Sequence, residues 1–205
     1  MDEITKKAIN ALEEMKDVTF ANIDDEGLPS ARIIDVMYVD DDGIYFCTAR
    51  GKPFFKQLKA DPTVAICGMD KKYVSVRIVG EVQLCNDRDV IDKIIKLNPG
   101  MNEVYPGERG NVLEGFRLYK GKGEIFDLSV VPPLRHRFSF GGTQVSPSGN
   151  RITDDCTACG LCLDACPMGI ITEGDIYQID RSKCLECGSC EEICPDNAVE
   201  SAKGL

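Results

Sequence analysis

The C-terminal quarter of the chain contains the stretch Cys156-Thr157-Ala158-Cys159-Gly160-Leu161-Cys162-Leu163-Asp164-Ala165-Cys166-Pro167. It returns 28 residues later as Cys184-Leu185-Glu186-Cys187-Gly188-Ser189-Cys190-Glu191-Glu192-Ile193-Cys194-Pro195. Every cysteine and both prolines superimpose at this shift. The two runs hold eight of the 11 cysteines in the 205-residue chain, so their spacing must carry a function.

Thiolates at this spacing are ligands for iron–sulfur clusters or zinc. A structural zinc site needs four cysteines in two separated pairs, whereas each run here has three cysteines at x2 spacing and a fourth before proline. Runs of this kind bind 4Fe-4S clusters, and the fourth cysteine ligates the other cluster. We therefore predict one cluster on Cys156, Cys159, Cys162 and Cys194, and a second on Cys184, Cys187, Cys190 and Cys166. Zinc or a disulfide scaffold is the alternative.

The segment from about residue 150 to 202 resembles the bacterial two-cluster ferredoxins, including the glycines at Gly160 and Gly188. In that family a short hairpin separates the two cluster loops, which implies a hairpin over Ile170 to Ile179. Residues 151–205 carry four basic and eleven acidic residues, a net charge of −7. The alternatives for this charge are a solvated acidic surface, a lower cluster potential or a face for a redox partner.

The chain divides at a connector rich in Gly, Ser and Pro, which runs from Ser139 to Asn150. We expect three parts: a domain over residues 1–138, a linker over 139–150 and a ferredoxin-type α+β domain over 151–205. By composition the linker resembles a short flexible tether.

The first part is predicted to be mainly β, with a helix over Ile4–Met15 and further helices over Lys52–Ala60 and Asp87–Asn98. Its strands are expected at Thr19–Asp24, Ala31–Val39, Ile44–Thr48, Thr63–Met69, Tyr73–Leu84 and Gly115–Leu128. Short polar turns join the earlier strands, which favours a barrel over a parallel sheet, because parallel strands need crossover helices. Cys47, Cys67 and Cys85 fall in these strands and are interpreted as buried, inert thiols.

Two stretches of this domain carry a second resemblance: Arg32-Ile33-Ile34-Asp35-Val36 and Gly43-Ile44-Tyr45-Phe46-Cys47-Thr48-Ala49-Arg50-Gly51-Lys52-Pro53. They resemble the FMN-binding split-barrel proteins related to pyridoxamine 5'-phosphate oxidase, where a strand Arg and a Thr/Ser plus Arg/Lys loop hold the FMN phosphate. The resemblance implies a split barrel and an FMN site at Arg32, Ile33, Ile34, Thr48, Arg50 and Lys52. Without it, Arg50-Gly51-Lys52 is a basic turn.

A phosphate needs charge-assisted donors, and the helix that starts after Lys52 would direct its N-terminus towards the same anion. Members of this family bind FMN, deazaflavin or haem, generally as homodimers, so a homodimer through the barrel is expected. The oxidase itself has a second basic residue where this chain has Met37, and it closes with a Trp-bearing segment. This chain has no Trp, so we do not expect vitamin B6 oxidation.

A net charge of −10 argues against a nucleic-acid partner, whose phosphates need clustered Lys and Arg. We expect no membrane span and no secretory signal, and therefore a cytoplasmic protein. The two resemblances together predict an enzyme, an FMN-dependent iron–sulfur oxidoreductase. It would pass electrons between two 4Fe-4S clusters and a flavin, and on to an undefined small acceptor, with a redox protein as donor or acceptor. The alternative is an electron carrier without a substrate of its own.

Overall fold

The computed structural model describes residues 1–85 and 87–205, and the N-terminal domain is mainly β, as predicted. Its strands are β1 (Asp17–Ile23), β2 (Pro29–Asp35), β3 (Tyr38–Asp40), β4 (Gly43–Ala49), β5 (Thr63–Met69), β6 (Val74–Cys85), β7 (Leu113–Asp127) and β8 (Leu134–Phe140). Its helices are α1 (Glu3–Met15), α2 (Pro53–Ala60), α3 (Arg88–Leu97) and α4 (Met101–Val104), with a 3-10 helix over Gly107–Val112.

The eight strands form one antiparallel sheet in the order β2-β1-β5-β6-β7-β4-β3, with β8 added to β7. The sequence predicted one strand over Ala31–Val39, and this was wrong. The chain pairs with β1 up to Asp35 and with β4 from Tyr38, so the strand is divided at Val36 and Met37. This short connection brings the two ends of the sheet together and curls it into the split barrel.

Strand β7 changes partner along its length, because Leu113–Leu118 pairs with β4 and Gly121–Asp127 pairs with β8. The pairing of β6 with β7 shifts in register after Glu81, which leaves Tyr119 as one extra residue on β7. Such a bulge bends a strand and increases its twist. The bend allows the long strand β7 to pair with β4 at one end and with β8, which precedes the C-terminal domain, at the other.

Aromatic rings fill the interior of the barrel. The Phe46 ring lies 4.8 Å from that of Phe20 and 5.6 Å from that of Phe116, measured between ring centroids. Phe54, in the first turn of α2, lies 5.5 Å from Phe20 and so anchors that helix to the core. All four side chains are buried. The aromatic residues that mark these strands in the sequence thus supply the core of the barrel.

Replacing Phe46 with alanine is expected to lower the free energy of unfolding of the barrel by about 3 to 5 kcal/mol, because a large core side chain leaves a cavity. Chemical denaturation followed by circular dichroism measures the change. The matched control is Met69→Ala on β5, whose side chain is 59% exposed. We expect that control to stay within about 0.5 kcal/mol of the wild type. An equal loss in both variants would contradict the assignment of Phe46 to the core.

Helix α1 packs on the sheet through the buried residues Thr5, Ala8, Ile9 and Leu12. Asp2 caps its N-terminus, since the carboxylate accepts a hydrogen bond of 2.7 Å from the Thr5 backbone N–H. The spacing of these apolar residues is the helical period from which the element was predicted.

The segment between the domains differs from the flexible tether that its composition suggested. Strand β8 extends to Phe140, two residues into the predicted linker. The guanidinium of Arg181 donates hydrogen bonds of 3.1 to 3.2 Å to the carbonyls of Pro147, Ser148 and Gly149. Asn150 is fully buried. The end of the linker is therefore fixed by side chains of the C-terminal domain, a tertiary effect that composition does not encode.

The C-terminal domain consists of short elements around two loops. They are β9 (Arg151–Ile152), α5 (Leu161–Ala165), β10 (Ile171–Thr172), β11 (Gln178–Ile179), a 3-10 helix (Arg181–Lys183), α6 (Ser189–Glu192) and β12 (Val199–Glu200). Strands β10 and β11 pair antiparallel and form the expected hairpin, and β9 pairs with β12. Ile171, Tyr177, Cys190 and Val199 are buried together in a small core of their own.

Within the described residues, no helix combines the length and the apolar composition that crossing a bilayer requires.

Candidate functional site

Two cavities in the C-terminal domain are lined by cysteines. The first is lined by Cys156, Cys159, Cys162 and Cys194. The second is lined by Cys166, Cys184, Cys187 and Cys190. The structure thus brings together the two sets of four that the sequence predicted, with the fourth cysteine of each run in the other run's cavity. Their role as ligands stays a prediction.

The backbone around each cavity has the same conformation in both runs. Gly160 and Gly188 have φ values of 86° and 85°, which explains a glycine at each of these positions. Ala158 and Glu186 have φ values of 54° and 56°. Their N–H groups lie 3.4 Å from the Sγ atoms of Cys156 and Cys184 respectively. Backbone donors directed at sulfur stabilise a thiolate, the form that ligates metal.

The cysteine sulfurs surround a volume and do not converge on a point. In the described part of the chain, no three Cys, His, Asp or Glu side chains lie close enough together to hold a single metal ion. A zinc site needs four ligands at 2.0 to 2.3 Å from one atom. A 4Fe-4S cube carries one iron at each of four corners, so its ligands are spread around the cube. The arrangement therefore fits a 4Fe-4S cluster better than zinc.

A second candidate site lies in the barrel, where β2 faces the start of α2. The Arg32 guanidinium carbon lies 4.1 Å above the centroid of the Phe54 ring. Its Nη2 donates a hydrogen bond of 2.7 Å to the Ser30 hydroxyl. Lys52 is the N-cap residue of α2, and no side chain caps this helix end. The structure thus brings Arg32 to the N-terminus that the sequence predicted for phosphate binding.

The surroundings of the Arg32 guanidinium favour the binding of an anion. Its Nε is buried and, among the described residues, has no hydrogen-bond partner. Burial also lowers the pKa of this guanidinium. Neither Arg32 nor Lys52 forms an ion pair with a carboxylate in the described part of the chain. A buried donor without a partner is costly, so this pocket fits a phosphate group.

The other predicted flavin residues are placed less uniformly. Thr48 is buried near the end of β4, while Arg50 forms an ion pair of 3.2 Å with Glu114 on β7. Ile34 packs against the main core. Ile33 is on the opposite face of β2 and is 63% exposed. Thr48 and Lys52 therefore flank the turn between β4 and α2, Arg32 packs on Phe54 in the first turn of α2, and Arg50 is paired with Glu114.

The three cysteines outside the runs differ in exposure. Cys47 and Cys85 are half-buried, whereas Cys67 is exposed, so its interpretation as a buried thiol was wrong. Burial, together with the nearby Asp35 carboxylate and against the opposing Lys52 ammonium, raises the pKa of Cys47 to about 11. Cys47 is therefore an unreactive thiol at neutral pH. The influence of Lys52 also indicates that its charge lies near β4.

Sequence reasoning missed several residues that the structure brings to these sites. Ser30 and Phe54 position Arg32. Arg135 and Arg137 on β8 form ion pairs with Glu186, which lies between two cysteines of the second run. One signal was available, since Glu186 stands where the first run has Ala158.

Comparison with known proteins agrees with the fold of both domains. The family model for pyridoxamine 5'-phosphate oxidase matches residues 4–122, and that for the 4Fe-4S dicluster domain matches residues 148–199. Ferredoxin of Butyribacterium methylotrophicum is 56% identical over 34 residues, which are 17% of this chain and 62% of the ferredoxin. Ferredoxin-2 of Chlorobaculum tepidum is 47% identical over 38 residues, which are 18% of this chain and 61% of that protein. The chain thus spans about three fifths of these curated relatives.

Two crystal structures from Clostridium acetobutylicum are similar to the barrel. A NimC/NimA family protein has a TM-score of 0.58 and 24% identity, over 66% of this chain and 91% of that one. A protein related to general stress protein 26 has a TM-score of 0.53 and 17% identity, over 68% of this chain and 96% of that one. These similarities show the fold.

The chain thus joins a barrel that matches the pyridoxamine 5'-phosphate oxidase model to a C-terminal domain that matches the 4Fe-4S dicluster model. Because the family model covers more than half of its length, the chain belongs to the pyridoxamine 5'-phosphate oxidase family.

Proposed function

We propose that this protein is an FMN-dependent iron–sulfur oxidoreductase. It would pass electrons between two 4Fe-4S clusters and FMN, and on to a small-molecule acceptor. One observation carries the proposal: the same chain has two cavities lined by four cysteines each and, on the barrel, an arginine whose buried Nε has no partner among the described residues, packed against the first turn of α2. When bound, the clusters supply single electrons at low potential and FMN can accept one or two.

Different residues would hold the two kinds of cofactor. Arg32 and Lys52 would hold the FMN phosphate, with the first-turn N–H groups of α2 as further donors. Thr48, buried near the same helix end, would contribute its hydroxyl. The eight cysteines of the two runs would hold the clusters in the sets that line the cavities.

A pure electron carrier is the second candidate, and the charge of residues 151–205 favours it. A net charge of −7 on a small domain suits a basic redox-protein partner. The two candidates differ in the barrel, because only an enzyme turns over a small acceptor with saturation.

We also propose a cytoplasmic homodimer. Ile33 and Val131 are 63% and 96% exposed on the barrel, which supports its pairing with a second copy. Reduced cysteines in cluster spacing support a reducing compartment.

The test is reduction of bound FMN by the clusters of the same chain. Anaerobic protein loaded with FMN is mixed with limiting dithionite, and flavin absorbance is followed by stopped flow. We expect a first-order phase with a rate constant that is unchanged over a tenfold range of protein concentration, because the step is intramolecular. A Cys156→Ser/Cys184→Ser double variant, which lacks one ligand of each cluster, measures the direct reaction of dithionite with the flavin.

Acceptors then separate the two candidates. Nitro compounds, quinones and activated alkenes are offered to the reduced protein. Saturable turnover supports an enzyme, and reoxidation by protein partners alone, at a rate that falls with salt, supports a carrier. If the full chain reduces FMN no faster than the Cys156→Ser/Cys184→Ser double variant, both candidates are wrong.

A further inference from the structure

A cluster of charged side chains joins the second cysteine run to the barrel. Glu186, between Cys184 and Cys187, forms two ion pairs with the barrel. Its Oε2 lies 2.7 Å from Arg135 Nη1 and its Oε1 lies 3.2 Å from Arg137 Nη2. Among the described residues, all ion pairs between the two domains end on Glu186. The loop around the second cavity is therefore the part of the C-terminal domain that docks on β8.

The barrel side of this contact is buried. The Arg135 and Arg137 side chains are 13% and 2% exposed, and Glu124 beneath them is 4% exposed. The Nε atoms of both arginines lie 3.6 to 3.7 Å from Glu124 Oε2. Arg77 contacts the other Glu124 oxygen at 3.2 Å. Arg77 is 56% exposed, so water screens its charge, whereas the buried Arg135 and Arg137 balance Glu124 and Glu186.

A further positive charge lies on the same side. Arg181, three residues before Cys184, is bonded only to the linker carbonyls and, in the described part of the chain, has no carboxylate partner. The linker also reaches the cavity itself, because Asn150 Nδ2 lies 3.8 Å from Cys190 Sγ. We call Arg135, Arg137 and Arg181 the arginine group.

The first cavity has the opposite surroundings. Asp154, Asp155 and Asp164 are exposed near its cysteines, and Asp196 lines it. Glu191 and Glu192, beside the second run, are also exposed and screened by solvent. Between Ile152 and Asp180, no described residue forms a hydrogen bond or ion pair with the barrel. The buried arginine group is thus the feature that distinguishes the two cavities.

We propose that the arginine group raises the reduction potential of the cluster held by Cys166, Cys184, Cys187 and Cys190 above that of the other cluster. This inference rests on the proposed function, since it takes both clusters as present. A reduced cluster carries one more negative charge than an oxidised one, so nearby positive charge stabilises the reduced form.

The consequence is a preferred direction of electron transfer within the C-terminal domain. One electron leaves the reduced cluster of the first run and reduces the oxidised cluster of the second run, with no proton moved and no bond formed or broken. An electron shared by the two clusters then resides on the one docked against the barrel. The acidic, undocked first run is the side on which a redox partner with a basic face delivers or collects electrons.

The test is a redox titration of anaerobic protein followed by electron paramagnetic resonance. The second cluster is identified as the signal that Cys187→Ser alters. We expect Arg135→Gln to move the electron distribution towards the first cluster on the order of tenfold, ~59 mV for a one-electron couple. Arg135→Lys keeps the charge and should stay close to wild type. Lys59→Gln removes the same charge from an exposed position in the last turn of α2, outside the contact with Glu186, and should move neither potential.

Arg181→Gln serves if Arg135→Gln does not fold, and it should lower the same potential. An unchanged second potential in the folded variants, or equal shifts of both potentials, would overturn the inference. Wild-type protein with far fewer than eight irons would instead contradict the proposed function.

Discussion

Replacing Cys166 with serine should remove the cluster of the other cysteine run and spare the cluster of its own. Anaerobically purified wild type should hold about eight irons and eight acid-labile sulfides per chain, and the variant about four of each. The reason is the lining of the cavities: Cys166 shares one with Cys184, Cys187 and Cys190, while its neighbour Cys162 lines the other.

Iron and sulfide analysis gives the totals, and electron paramagnetic resonance tells which cluster remains. Cys67→Ser is the matched control, because Cys67 is an exposed thiol on β5 outside both cavities, and it should leave all eight irons in place. Loss of the first cluster in the Cys166 variant, with the second intact, would refute the crossed ligand sets. Zinc in place of iron in the wild type would refute the clusters altogether.

Replacing Arg32 with alanine should weaken FMN binding by roughly tenfold to a hundredfold. A charge-assisted hydrogen bond contributes on the order of 1.5 to 3 kcal/mol, and each 1.4 kcal/mol is about a factor of ten in Kd. Titration of the apoprotein with FMN, followed by flavin fluorescence, measures the change. Riboflavin lacks the phosphate, so its affinity should be nearly equal in wild type and variant.

The control is Lys59→Ala, which removes a positive charge from the last turn of α2 and leaves the first turn unchanged. It should bind FMN as the wild type does. Equal losses for FMN and riboflavin in the Arg32 variant would mean that Arg32 shapes the pocket and does not contact the phosphate. Full FMN affinity would place the phosphate elsewhere.

The elements that sequence predicted well are those with a strong local period. Helix α1, strand β5 and the long strands β6 and β7 were found within a few residues of their bounds, because alternating or helical apolar spacing specifies them. The cysteine runs were equally clear, since their ligand spacing is itself local.

What was missed depends on tertiary contacts. Strand β8 follows Pro132-Pro133 and contains Arg135-His136-Arg137. This polar sequence is not typical of a strand, and its arginines are accommodated by ion pairs with Glu124 and Glu186. The linker was interpreted as flexible from its composition. The residue that fixes it, Arg181, lies 31 residues beyond Asn150 and does not contribute to that composition. Ion pairs that bury charge join residues far apart in the chain, so periodicity does not reveal them.

Glu186 also breaks a near two-fold symmetry. The two cysteine runs have matching backbones, and a module of this kind presents two similar faces to anything it meets. Only the second run carries a carboxylate at this position, because Ala158 occupies the corresponding place in the first run. Docking the other way round would leave Arg135 and Arg137 short of a partner, and an uncompensated buried charge costs about 3 to 5 kcal/mol. The Glu186 side chain thus favours one docking orientation over the two-fold-related one by a factor of a hundred or more in their equilibrium populations.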